Sequence, residues 1–314
     1  MFSGIFQEAV QGIQTYYLHI FAGATLCLVL ELFLPRSTYS LSSRLRAACF
    51  LFAYVAITSS FFAAFNTVWA HTGLRPLLTI DLSWMSNYGP WPLRMAGVFL
   101  AVVASAYLLE LFYYWFHRMQ HTVPFFWRFH AVHHSIKELS GWNCYHHATE
   151  EIFRIPFVII PVLAVVSVNP GFVPIWIPAI TAAQGQFEHS CTRLHFGWLR
   201  YLIADNRYHR IHHSIEPRHF GKNFGSFTPI WDWCFGTAHF PARNEWPEAG
   251  LSNLAEPQTL RDYLLRPFGN FSQRVQQAGA ASAAEPSSQR LSNSTAELVE
   301  ALLKRVRRPK SELS

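Results

Sequence analysis

Residues 112–134 read FYYWFHRMQHTVPFFWRFHAVHH, an apolar aromatic run that passes into five histidines at His117, His121, His130, His133 and His134. A third pattern, HRIHH at residues 209–213, adds His209, His212 and His213. Thirteen of the sixteen histidines fall between His117 and His219, so the enrichment is regional. On a helix, spacings of i, i+4 and of i, i+3, i+4 place the imidazoles of a motif on one face, aimed at a common point. Imidazole suits iron, zinc, copper and nickel, and one tetrahedral zinc takes only four ligands. Eight converging histidines therefore indicate two metal ions or heavy redundancy, and two ions is the simpler reading. Chance scatter explains a lone HxxxH; it does not explain HxxxH with two copies of HxxHH separated by a long apolar stretch.

Outward from this stretch the chain reads as a membrane protein. Of its 314 residues 51% are hydrophobic and 16% aromatic, while 14% are charged, against about 25% charged in soluble domains. Apolar runs at Tyr16–Pro35, Ala47–Ala70 and Trp91–Phe116 each approach the ~20 residues needed to cross a bilayer. A fourth, Ile155–Phe187, is too long for one span and is interrupted by Asn169-Pro170-Gly171, which predicts a helical hairpin. Arg36, Arg44 and Arg46 between the first two runs place that link in the cytoplasm by the positive-inside rule. The third run then ends inward at His117, and the hairpin returns the chain to the same side, so all three histidine motifs share the cytoplasmic face. The start, MFSGIFQEAVQGIQ, lacks a basic region, which predicts a retained anchor rather than a cleaved signal.

The sequence thus predicts an all-α integral membrane protein: about three transmembrane helices plus a helical hairpin, capped by a cytoplasmic helical His-rich di-metal domain. Residues 1–90 form a two-span anchor region, 91–270 the catalytic domain, and 271–314 a flexible tail. Within that tail Gln277–Asn293 reads as a linker, and Ser294 to Arg308 as a short amphipathic helix opened by a capping box. Five cysteines without a CxxC pair predict no disulfide. The formal charge of +6 is dispersed, which suits anionic headgroups and not a nucleic acid. Arg outnumbers Lys 21 to 4, pointing to a GC-rich bacterial source and hence to a bacterial inner membrane.

The chemistry is narrowed by what is missing. There is no HExxH of metalloproteases, no pair of Glu-x-x-His motifs as in soluble di-iron bundles, and no GxGxxG fingerprint for a nicotinamide or flavin. A metal transporter would place ligands within its spans, whereas here nearly all histidines lie outside them. A His-rich di-metal centre that activates dioxygen against a lipid C–H bond remains, with a zinc-dependent membrane lipid hydrolase as the alternative.

The motifs YYWFHRMQH, HAVHHS, FEHS around His189, HRIHHS, Asn223-Phe224-Gly225 and WDWCFGT (Trp231–Thr237) resemble the fatty acid hydroxylase / sterol desaturase superfamily of integral-membrane, non-haem di-iron oxygenases. The resemblance runs from about Trp91 to Phe268. It implies that the eight motif histidines, one histidine after the second motif and one in FEHS bind two iron ions. His189 matches the last of these. His147 is favoured for the other, because His147-Ala-Thr-Glu150 resembles the family's H-P-x-E, with His146 as the adjacent candidate. Tyr145 stands where the family often has Arg, and Cys191 where it often has Asn. The resemblance further implies dioxygen as co-substrate, a membrane lipid as substrate and hydroxylation or desaturation as outcome. Electrons must come from a separate donor: a ferredoxin, a small haem protein or a reductase.

Acids near the motifs complete the candidate set. Glu110 lies two helical turns before His117 in an apolar span, where an acid is expensive and usually functional. It either orients a ligand imidazole or sits at the headgroups. Glu138, Glu150, Glu188, Asp205 and Asp232 could accept from imidazole N–H groups in the same way. Glu110 and Asp232 are the candidate catalytic acids. His195, His219 and His239 lie outside the tight patterns and read as structural, and His19 and His71 as interfacial.

Overall fold

The computed structural model describes residues 2–81, 89–169 and 173–269; the predicted linker and amphipathic helix of the tail lie outside the described residues. Helix α1 (Phe2–Phe33) and α2 (Leu41–Thr72) are joined by a link short enough to make them antiparallel neighbours. Ser40 caps α2 by accepting from Ser43 N at 3.2 Å, and Gly73, at φ 66° in the left-handed region, ends it. Glu31 ties this pair to the rest of the chain: its carboxylate takes Arg44 Nη1 at 2.6 Å, Gly141 N at 2.9 Å and Cys191 N at 3.4 Å. Gly141 packs so tightly that a Cβ there would lie 2.4 Å from Cys27 Cβ.

Helix α3 (Trp91–Thr122) carries HRMQH in its last turns and stops because Pro124 disfavours helical backbone at Val123, which is extended at φ −100°, ψ 115°. Pro124 then opens α4 (Pro124–His134). This single break folds HAVHH back beside HRMQH. Two helical stretches, Leu41–Trp69 and Trp91–Thr122, are long and apolar enough to cross a bilayer, with mean hydropathy 1.9 and 2.0. Only 33% of each is buried inside the protein, which is the inverse of a soluble core helix and fits a lipid-facing one. The first expected span falls on α1, whose apolar part Leu18–Phe33 is described in full.

The chain after the second histidine motif folds as α5 (Glu150–Arg154), a π turn (Ile155–Ile159), α6 (Ile160–Val165) and, on the return, α7 (Val173–His189). Pro156 and Pro161 each lack an N–H donor, and between them the backbone shifts to an i→i+5 bond from Ile160 N to Ile155 O. The expected break at Asn169-Pro170-Gly171 falls between these arms, with Pro170 and Gly171 outside the described residues. A departure from the all-helical expectation is β2 (Val166–Asn169), paired in parallel with β1 (Leu78–Asp81). Short apolar runs rich in β-branched residues do not distinguish strand from helix by composition.

The remaining elements are α8 (Asn206–His212), capped by Asp205 through Tyr208 N at 3.0 Å, α9 (Ile230–Cys234), and α10 (Leu260–Leu265), opened by a Thr259/Asp262 capping box. One apolar core joins α10 to the N-terminal pair: Phe50, Leu51 and Val55 of α2 pack with Leu139, Tyr145 and Tyr263, and Phe50 stacks on Tyr263 at 5.2 Å. All five cysteines are free.

Candidate metal centre

The C-terminal end of α3, α4, the end of α7 and α8 bring nine imidazoles together in two groups. The ligand atoms of His117, His121, His130, His134 and His212 lie within 4.8 Å of one another, as do those of His133, His189, His209 and His213. Each HxxHH motif therefore divides. In HAVHH the i, i+4 pair His130/His134 serves the first group and His133 the second; in HRIHH the i, i+4 pair His209/His213 serves the second and His212 the first. The sequence expectation of one common point per motif is corrected to two adjacent points, because facing helices receive the i+3 residue on the other side.

Hydrogen bonds fix which nitrogen faces inward. His117 Nδ1 donates to Phe224 O at 2.6 Å, His130 Nδ1 to Glu150 Oε2 at 3.1 Å, His133 Nδ1 to Tyr145 O at 3.0 Å, His189 Nδ1 to Gly185 O at 2.6 Å and His212 Nδ1 to Lys222 O at 2.9 Å. A neutral imidazole whose Nδ1 carries the proton presents a lone pair at Nε2. Yet His117 Nε2 lies 3.0 Å from His130 Nε2, and His133 Nε2 lies 3.2 Å from His189 Nε2. Lone pairs facing at that distance repel unless a cation lies between them. Two metal–nitrogen bonds of ~2.1 Å at right angles put their nitrogens ~3.0 Å apart, so the spacing is that of neighbouring ligands on one ion. His121 Nε2 and His212 Nε2 are buried without any hydrogen-bond partner, which a metal would supply. The residues fit the group.

Burial keeps these rings neutral and so competent as ligands. Loss of water, reinforced by neighbouring imidazoles, holds His130, His133, His134, His209 and His213 well below the usual histidine range, and burial lowers His212 to about 4.

Residues 102–237, which contain every one of these nine histidines, match the family described as Fatty acid hydroxylase. This segment is similar to the fatty acid hydroxylase family. The chain is also 31% identical over 190 residues to a protein named Ornithine lipid hydroxylase OlsE from Rhizobium tropici, a stretch covering 60% of this chain and 55% of that relative. The chain thus spans about half the length of the curated relative it matches. No solved structure matches.

The structure places the ring of His147, the histidine favoured from sequence, apart from the two groups. Its Nδ1 pairs with Thr149 Oγ1 at 2.7 Å and its Nε2 with Leu264 O at 3.1 Å, away from both groups. His146 takes the inward place: its ring stacks on His133 with centroids 4.2 Å apart and its Nδ1 lies 3.1 Å from Glu150 Oε2. Glu150 decides between them, since its other oxygen accepts His147 N at 3.1 Å and anchors that residue by its backbone. The same carboxylate takes His130 and the Gln120 amide. Sequence reasoning placed Glu150 at the end of the His147-Ala-Thr-Glu150 run and among the nearby acids, and the structure makes it the common partner of His130, His146 and the His147 backbone. Partners of this kind typically carry 10–100-fold in metal affinity, so Glu150→Gln is expected to weaken metal retention by about that factor in a chelator competition assay, with little change in helix content.

Neither candidate catalytic acid touches an imidazole. Glu110 accepts the backbone N–H groups of Ser226 and of Phe227, the latter at 2.8 Å, and so caps a loop. Asp232 accepts Phe224 N, Gly225 N, the Tyr208 hydroxyl and the Thr237 hydroxyl at 2.6–3.0 Å. Both are positioning residues: Asp232 holds the Phe224 peptide whose carbonyl fixes His117. Glu188 comes nearer, its Oε2 lying 3.6 Å from His209 Nδ1. His195 is exposed, and His219 is buried against Ser214 and Glu245.

Proposed function

We propose that the protein is a membrane-bound, iron-dependent hydroxylase of lipid C–H bonds, working at the cytoplasmic face of a bacterial inner membrane. The observation that carries this reading is the pair of facing imidazole lone pairs in each group, which a di-metal centre requires. The superfamily match and the lipid hydroxylase relative favour hydroxylation over desaturation and over zinc-dependent hydrolysis. Two irons bound by His117, His121, His130, His134 and His212 and by His133, His189, His209 and His213, with His146 beside His133, would supply dioxygen reduction and hydrogen abstraction.

The overall reaction inserts one oxygen atom into the C–H bond and releases the other as water, consuming two electrons from a separate electron-transfer protein and two protons from solvent. The chain's own residues set the conditions. Carbonyls of Phe224, Tyr145, Gly185 and Lys222 hold ring tautomers and orientations, and Glu150 holds His130 and His146. Burial excludes bulk water from the ligands, and the lipid-facing helices α2 and α3 deliver the substrate to the site at the end of α3.

The test is metal analysis of the detergent-extracted full chain together with lipid products formed with and without oxygen. Iron at about two per chain and an oxygen-dependent gain of one oxygen atom in a membrane lipid are expected. A single zinc with oxygen-independent turnover would overturn the reading. In the same assay His146→Ala is expected to lower iron content and activity, while His147→Ala retains iron; the reverse result would restore His147 as the ligand.

A further inference from the structure

The chain between His189 and His209 carries an exposed apolar surface that the metal centre does not use. A single 3-10 turn, Gly197–Tyr201, leaves Trp198 72% exposed, with Leu199, Tyr201 and Leu202 also open. At the end of α9, Trp233 is 57% exposed and Phe235 is open beside it. Ring contacts join these side chains into one face. Tyr201 packs on Trp233 with centroids 6.2 Å apart, and Phe235 on the exposed Trp115 of α3 at 4.7 Å. A contiguous aromatic face of this kind in water marks an interaction surface.

Helix α3 fixes the depth at which the face lies. Trp91, exposed at its start, suits the membrane boundary, and the ~20 residues that cross the hydrocarbon core then end near Leu111. The Tyr107 hydroxyl donates to Leu202 O at 2.5 Å, and Trp231 Nε1 donates to Tyr107 O at 3.0 Å. Contacts therefore run along α3 from Tyr107 to Trp115, ~12 Å at about 1.5 Å per residue, and straddle the level where hydrocarbon gives way to headgroups. Irregular backbone is tolerated at such depth only when its polar groups are paired. Here Phe196 N donates to Asp205 Oδ2 at 3.2 Å, Leu199 N to Phe196 O at 3.0 Å, Leu202 N and Ile203 N to Leu199 O at 2.9 Å, and Ala204 N to Phe227 O at 3.0 Å. Charge agrees with depth. Asp205, the one acid between residues 190 and 215, is buried and capped onto α8, while Arg193 is exposed and Arg200 lies over the Tyr201 ring at 5.8 Å.

We propose that the face formed by Trp198, Leu199, Tyr201, Trp233 and Phe235 is an interfacial membrane seat. Its apolar side chains lie just below the headgroups beside α3, and Arg193 and Arg200 lie among anionic lipid phosphates. The stretch linking His189 to HRIHH is thereby pinned to the bilayer surface, which holds the second histidine group at a fixed height against the membrane. A lipid surface fits better than a protein partner, because the face continues directly into the lipid-exposed side of α3. The inference rests on α3 as a membrane span and is independent of the metal and of the reaction.

The test uses the full chain in lipid nanodiscs with bimane fluorophores on cysteine. Cys234, exposed between Trp233 and Phe235, takes the label directly once the exposed Cys49 is replaced by serine, so no residue of the face is altered. In a Cys49→Ser/Cys234→Ser background, Trp198→Cys carries a second label, Phe99→Cys on α3 marks lipid and Arg218→Cys, at a side chain 61% exposed, marks water. Brominated phosphatidylcholine quenches from the bilayer and acrylamide from water. Labels at 198 and 234 are expected to be quenched by brominated lipid as at 99, and by acrylamide at least ~5-fold less than at 218. Acrylamide quenching at both positions equal to that at 218 overturns the proposal. So does quenching by acrylamide that falls only when a soluble ferredoxin is added, which would make the face a protein-docking surface. Replacing roughly a third of the lipid with phosphatidylglycerol should lower acrylamide quenching at 198 a further ~2-fold, and Arg193→Gln/Arg200→Gln should remove that response. A wild type indifferent to phosphatidylglycerol overturns the assignment of the two arginines to anionic headgroups.

Discussion

Replacing His130 with alanine is expected to empty the first histidine group and to reduce activity by at least ~100-fold, more than the loss of an outer partner alone. His130 has 0% exposure, and its Nε2 lies 3.0 Å from His117 Nε2 and 3.1 Å from His134 Nε2, so it stands at the middle of that group. Its Nδ1 also neutralises one demand of the buried Glu150 carboxylate, and an orphaned buried acceptor adds about 1–3 kcal/mol of destabilisation. Elemental analysis of the purified variant should show iron falling by half or more relative to wild type, while His195→Ala, at an exposed position away from both groups, leaves it unchanged. Undiminished iron in His130→Ala would remove the central premise.

Asp232→Ala is expected to be the most destabilising single change. The carboxylate has 0% exposure and receives four donors: Phe224 N at 2.9 Å, Gly225 N at 2.7 Å, Tyr208 Oη at 3.0 Å and Thr237 Oγ1 at 2.6 Å. Alanine leaves two amides and the Tyr208 hydroxyl buried without an acceptor, at about 1–3 kcal/mol each before relaxation, while the Thr237 hydroxyl can turn to Tyr114 Oη at 2.9 Å. A net loss of ~4 kcal/mol corresponds to a fall in Tm of roughly 10 °C for a chain of this size. Asp232→Asn, keeping one acceptor oxygen, should fall between. Thermal unfolding in detergent decides the matter: a variant with wild-type Tm but no activity would make Asp232 a participant in the reaction rather than a brace.

The histidine motifs were legible because helical spacing alone groups side chains, and the i, i+4 pairs His117/His121, His130/His134 and His209/His213 do converge. The crossing of His133 and His212 to the opposite group was not legible, since it depends on how α4 and α8 face one another. His146 and His147 escaped for a different reason. They lie in a turn with no periodicity, where Glu150 settles the choice by binding one residue through its ring and the other through its backbone. Carbonyl partners such as Phe224 and Lys222 have no signature at all, because every residue carries that group. Glu110 was recognised as an expensive acid, but its role as a loop cap requires knowing that Ser226 and Phe227 fold against α3.

The crosswise division of the two HxxHH motifs bears on how the molecule matures. Helix α4 supplies both groups and so does α8, so under the di-metal proposal neither ion would find its full set of nitrogens until segments some eighty residues apart in sequence have docked. Once one ion draws them together, the other pocket is already in register, and its ligands need no further ordering. Uptake of the two ions should therefore behave as one concerted step, with half-loaded protein scarce at every stage of a titration. Stripping either ion should loosen the grip on the other.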